Sequence, residues 1–303
     1  MNKAPLPSIE EQLKSIQQLI QTAKFNDAIE QGKQLQQQTI DKQQQIELLY
    51  LITVAHRYTK TFTQALASID ELLTLDDKHS RAYQERGYIH LALQNNIPAK
   101  TSFERAVKLN PCLVASWQEL IEIYRAAQQH ENVQKSANQL AKLKSLPPAL
   151  LAVTELMHER KLLKAEQICR HYLQNNKRNV AGMCLLAEIG IELKIYDDAE
   201  FLLASALELA PNNIHARSQY LNLLIRLGKY KNAEQQVEYL LSEQPDNLSF
   251  KVAKASVFIG LGKVEQAIKL FEQAVEQDNK TADFQLQLGH AFKAKGDITK
   301  AIA

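Results

Sequence analysis

The sequence predicts an all-α solenoid of about nine stacked helical hairpins, the last one incomplete. Three observations predict it. A small residue returns at Ala65, Ala99, Val133, Ala165, Ala199, Ala233, Ala267 and Ala301, in steps of 34 except Val133 to Ala165, which is two shorter. Self-similarity at that period marks a repeated pair of helices rather than one globular core. Pro111, Pro211 and Pro245 fall in the same register, where proline stops a helix before the next unit. Glycine (9) and proline (8) are scarce among 303 residues, which leaves little room for long loops.

With the small residue at position 20, units begin at Ile9, Ile46, Ser80, Val114, Leu146, Val180, Ile214, Leu248 and Ala282. Residues 1–8 read as a short extended N-terminus, 9–145 as units one to four, and 146–303 as units five to nine of one continuous solenoid. In the first unit, Ser8 and Glu11 have the spacing of a capping box, and Ala28 fills position 20. The third unit sets out the logic of the pair. Gly87 at position 8 and Ala99 at position 20 let helices A and B approach, while Phe103 and Ala106 extend one face of helix B. The fourth carries Trp117, Leu120 and Tyr124 on one face of helix A. The fifth is irregular, and its Pro147-Pro148 start and two missing residues predict a kink in the stack near 146–148. Gly228, Gly262 and Gly296 fall at position 15 of three later units, where a left-handed turn ends helix A.

These residues resemble the tetratricopeptide repeat pattern, Trp-x2-Leu-Gly-x2-Tyr, Ala-x3-Phe, Pro. Trp117, Leu120, Tyr124, Leu288-Gly289, Ala99 with Phe103, Ala267 with Phe271, and Pro111 carry the likeness. Ile121 stands where the pattern has glycine, and Tyr172 where a small residue is usual. The resemblance implies a right-handed superhelix whose A helices line a concave groove that binds protein segments. A second resemblance lies in Leu288 to Asp297, Lys300 to Ala303, Asp198 to Leu207 and Ala216-Arg217. These runs are similar to repeats of the bacterial tetratricopeptide-sulfotransferase family. That family's sulfuryl-donor loop has an Arg-Ser-Gly-Thr-like core, and no such run occurs in this sequence. The likeness therefore implies a non-catalytic, substrate-recruiting arm whose catalytic domain would lie beyond residue 303. The apolar last unit, ending on Ala-Ile-Ala, carries the same expectation of a continuing chain. It also offers a surface for self-association.

Thirty-six basic and 34 acidic side chains give a net charge of +2, which is no signature of polyanion binding. Nucleic acid is not an expected partner, nor is a membrane, because no apolar run is long enough to span one. Cys112, Cys169 and Cys184 form no CxxC pair and suit a reducing, cytoplasmic setting. His158-Glu159 begins like a zinc-protease motif, but position 162 is leucine. His171 with Cys169 and Cys184 reads as packing rather than a metal set, and His56 and His90 occupy position 11 of the buried stripe. Gly260-Leu-Gly-Lys263 lacks the glycine a phosphate loop needs at Val257, so it reads as repeat punctuation. No catalytic residue, metal site or cofactor is predicted.

Positions 2, 5, 9, 12 and 13 of helix A should face the groove. They select Tyr50, Arg57, Tyr58, Arg81, Gln84 and Tyr88 in the early units. Gln118, Glu122, Arg125, Glu188 and Glu192 follow in the middle, then Asn222 and Arg226. Tyrosine and arginine are common interface anchors, so the early cluster is the expected peptide contact. The expected function is a scaffold that binds a peptide segment or partner helix there.

Overall fold

A computed structural model describes residues 7–277, 282–297 and 301. The described residues are helical, with short turns and no strand. The helices run α1 Ile9–Gln21, α2 Phe25–Leu35, α3 Lys42–Tyr58, α4 Phe62–Leu75, α5 Ser80–Ala92 and α6 Asn96–Leu109. They continue with α7 Val114–Ala126, α8 His130–Lys144, α9 Pro148–His158, α10 Leu162–Asn175, α11 Val180–Glu192 and α12 Tyr196–Leu209. The last are α13 Ile214–Arg226, α14 Tyr230–Glu243, α15 Leu248–Gly260, α16 Val264–Gln277 and α17 Ala282–Lys295. Two compact units divide them: Met1–Lys161, which holds α1 to α9, and Leu162–Ala303, which holds α10 to α17.

The repeat register is also the packing register. Ala28, Ala65, Ala99, Ala165, Ala199, Ala233 and Ala267 are all fully buried. Each sits on helix B where only a methyl group leaves room for a neighbouring helix. Val133 is the exception and is only half-buried, because its two extra methyl groups cannot enter the same space. Gly87 faces the ring of the fully buried Phe103, and a Cβ there would lie 2.7 Å from it. That contact is the close approach of α5 and α6 which the sequence implied.

Position 15 closes helix A in the same way in all nine repeats. Gly228, Gly262 and Gly296 have φ of +69°, +76° and +87°. Ala23, Lys60, Gln94, Gln128, Arg160 and Lys194 occupy the same left-handed turn at φ between 55° and 64°. Each turn is tied by two backbone bonds, as where Gln94 N–H donates to Leu91 C=O and Asn95 N–H to His90 C=O. The glycines were legible because glycine alone signals this conformation, whereas six repeats adopt it with ordinary residues.

Six A helices, α1, α3, α5, α11, α13 and α15, are capped at their starts by side chains. Ser8 and Glu11 form the predicted capping box, and Asp41 with Gln44 forms a second. Asn179, Asn213 and Asn247 recur one residue before α11, α13 and α15, and each accepts an amide from the first turn. His79 does the same for α5 through Nδ1, which accepts from Ala82 N–H at 3.1 Å. That bond requires an unprotonated Nδ1. Pro148 opens α9 at the first helical turn, where its missing N–H costs nothing.

Candidate partner-binding site

The early Tyr/Arg cluster forms on the A helices of the first compact unit. Arg57, one residue before the end of α3, reaches α5, and its Nε donates to Glu85 at 2.5 Å. The same guanidinium lies over the Tyr58 ring at 4.2 Å and the Tyr88 ring at 5.2 Å. Tyr58 stacks on Phe25 of α2, with centroids 4.6 Å apart and planes within 6°. Tyr88 meets Phe103 edge-on. The result is an arginine clasped between two tyrosine faces, a geometry favourable for both cation and rings. Tyr58 remains 52% exposed, so part of its side chain stays open to solvent.

A second arginine lies on the same side of α5. Arg81 donates from one terminal nitrogen to Glu155 at 2.9 Å and from Nε to Glu159. Both carboxylates come from the α9 segment, more than seventy residues away in sequence. Spaced by four, they share one helix face, and the planar guanidinium spans the pair. Lys161 also bonds Glu159, at 2.8 Å. Tyr50 packs against His79, centroids 5.4 Å apart, in the combined field of Glu85, Arg81, Glu159 and Arg57.

The electrostatics follow from burial and from these partners. Burial pushes Glu85 up, against the downward pull of Arg57. Burial likewise raises Glu155, against Arg81. Glu159 feels the same burial, but Lys161 and Arg81 together outweigh it and hold it below the usual carboxylate range. Burial raises the Tyr50 hydroxyl far above its ordinary value and Tyr88 to about 12, so both stay protonated donors. His56, His79 and His90 are all lowered, burial first.

The remaining predicted residues take different places. Gln84 is buried, and its amide donates to Ser116 of α7 at 2.8 Å. It is a joint between repeats rather than a contact surface, because position 5 of this helix turns toward the next A helix. Gln118 is exposed on α7, and Glu122 and Arg125 are exposed and paired with each other at 2.6 Å. Glu122 also borders a hollow of about 420 Å³ with Leu91, Ile97 and Ile123. In the second unit Glu188 and Glu192 are exposed on α11, and Glu188 accepts from Gln219. Asn222 lines a hollow of about 320 Å³ shared by α13, α15 and α17, and Arg226 lies 5.9 Å from the Tyr196 ring centroid. Sequence reasoning missed Glu85, Glu155 and Glu159. The Glu155/Glu159 spacing was a legible signal, hidden because His158-Glu159 drew attention as a metal fragment.

Cys169, Cys184 and His56 are packed in the interior. Cys169 is buried, its thiol donating to Gly182 C=O at 3.4 Å, and burial raises Cys169 and Cys184 to about 11. The His56 ring bonds the Thr61 hydroxyl at 2.6 Å. Among the described residues no group of three His, Cys, Asp or Glu side chains could hold a metal ion. No described helix is long and apolar enough to cross a membrane.

Comparison with solved structures finds helical proteins of low identity. MamA 41-end from Desulfovibrio magneticus RS-1 is 18% identical, with 51% of this chain and 87% of that chain covered and a TM-score of 0.47. The MamA RS-1 ArsTM double mutant gives 17% identity, 52% and 90% coverage, and 0.46. A structure of Naa15/Naa10 bound to HypK-THB gives 13%, 97% and 62%, and 0.39. No curated protein matches the sequence. Tetratricopeptide repeat family models match residues 80–111 and 191–257, and a TPR repeat model matches 255–303. The chain therefore carries tetratricopeptide repeats, a fold that supports a protein–protein interaction scaffold.

Proposed function

We propose that the A-helix face of the first compact unit holds a peptide segment or partner helix, with Arg57, Tyr58 and Tyr88 as its anchors. One observation carries this reading. Arg57 is fixed by Glu85 and sandwiched by two tyrosines, one of which keeps half its surface in water. A rigid aromatic–arginine group that is already ordered loses little entropy when a partner lands on it. The second-unit residues Glu188, Glu192, Asn222 and Arg226 form a separate candidate surface on their own A helices. The alternative reading, a substrate-recruiting arm of a sulfotransferase, rests only on the likeness of the middle and tail repeats to that family. A cytoplasmic setting suits the three buried, unpaired cysteines.

The test is capture of partners by the full chain and by a Tyr58→Ala/Tyr88→Ala variant, with circular dichroism as the folding control. Loss of captured proteins at unchanged helicity is expected. Equal capture by the two proteins rejects this face.

A further inference from the structure

The first unit already holds a helix through paired carboxylates. Arg81 projects from the first turn of α5 and is shared by Glu155 and Glu159, which are separated by one turn of the α9 segment. One turn is a rise of about 5.4 Å, so the two carboxylates present a single acidic edge. A guanidinium has five donors in a plane and receives two such groups at once, which an ammonium cannot do with the same geometry. Arg57 repeats the preference one repeat earlier, with Glu85 as its carboxylate. Both predicted basic anchors of this face therefore hold carboxylates of the chain itself.

The acidic contact of α9 is uneven, although Leu150 and Val153 of the same helix are fully buried. Glu159 is nearly enclosed, with 9% of its side chain exposed, and has two cationic partners, Arg81 and Lys161. Glu155 is only partly covered and pairs with Arg81, and burial raises its pKa in spite of that partner. Of the two contacts, the one through Glu155 gains less, and that carboxylate regains water when it leaves.

We propose that this face takes an acidic helix, two carboxylates one turn apart seated on Arg81, and that α9 is its resident occupant within the chain. The proposal rests on the reading of the A-helix face as the binding surface and names the chemistry of the partner. A protein helix bearing Glu-x-x-x-Glu on one face competes with α9 for Arg81. In the free chain α9 covers Arg81 and weakens capture.

The experiment uses the full chain and a fluorescein-labelled peptide of residues 148–161, read by fluorescence anisotropy. The Glu155→Ala/Glu159→Ala variant removes both side chains from Arg81 and should bind the peptide at least about tenfold tighter than the unaltered chain. Adding Arg81→Gln should abolish that gain, and a peptide with glutamine at both acidic positions should not bind. Affinity should fall steeply from 50 to 500 mM salt, since about 0.5 M salt shortens screening to a few ångströms. No binding of the acidic peptide to the vacated variant overturns the proposal. Equal binding of the glutamine peptide overturns carboxylate recognition while leaving the face itself as a helix site. Failure of the face reading shows elsewhere, as unchanged capture by the Tyr58/Tyr88 variant. Circular dichroism on each variant separates lost binding from lost fold. The salt titration uses only the vacated variant, so it keeps the proposal refutable should the Arg81 variant unfold.

Discussion

Substituting Gly262 by alanine isolates the conformational cost of the turn that ends helix A. A Cβ at Gly262 meets nothing within 4 Å, so no steric clash contaminates the measurement. The backbone sits at φ +76°, where an L-residue is strained by about 1–2 kcal/mol. Alanine recovers about 0.4–1 kcal/mol by reducing the freedom of the unfolded chain. The net expectation is a loss of about 0.5–1 kcal/mol. The mirror experiment is Gln94→Gly, at φ +60° on an exposed residue whose side chain makes no necessary contact. It should gain a similar amount. Denaturant titration followed by circular dichroism measures both, with the m-value checked for constancy. Destabilisation at Gln94→Gly, or no change at Gly262→Ala, would refute the claim that one strained turn recurs at position 15.

Three further outcomes are expected. Gly87→Ala places a methyl against the enclosed Phe103 ring and should cost about 1–3 kcal/mol, as overpacked cores do; wild-type stability would mean that α5 and α6 are not closely packed. Arg57→Ala leaves Glu85 buried without its cation and should cost about 3 kcal/mol, with Glu85→Gln in the same chain restoring part of it; no rescue would mean that the arginine acts through packing alone. The third concerns pH. His56, His79 and His90 all have folded pKa values below the ordinary 6.5, so the unfolded chain binds more protons across that window. Their contribution is fully present above about pH 6.5 and is lost as pH falls toward the folded values. Trp117, the single tryptophan, lies in the same unit and reports its unfolding; a midpoint independent of pH between 7 and 5 would contradict the burial of these rings.

The period, the buried alanines, the capping box at Ser8 and the Gly87 contact were legible because each depends on neighbours in the same hairpin. Position 15 was half legible. Glycine advertises a left-handed turn, whereas Lys60 or Gln128 adopts one only because the surrounding hairpin imposes it. The face of the Tyr/Arg cluster was legible from helical spacing, but its bonding was not. Register says which side of a helix a residue is on, and position 5 is shared by groove and joint, so Gln84 went to the joint. Which carboxylate meets Arg81 depends on where α9 comes to rest. That is a contact across 74 and 78 residues which no local pattern encodes.

The central claim is that the A-helix face is the working surface. Hydroxyl-radical footprinting of the chain with and without a captured partner tests it most directly. Tyr58 on α3 is 52% exposed and Phe201 on α12 is 72% exposed, so both are oxidised in the free protein. A bound partner should protect Tyr58 and leave Phe201 reactive. Protection of Phe201 with Tyr58 unchanged would move the working surface to the B helices and contradict the account.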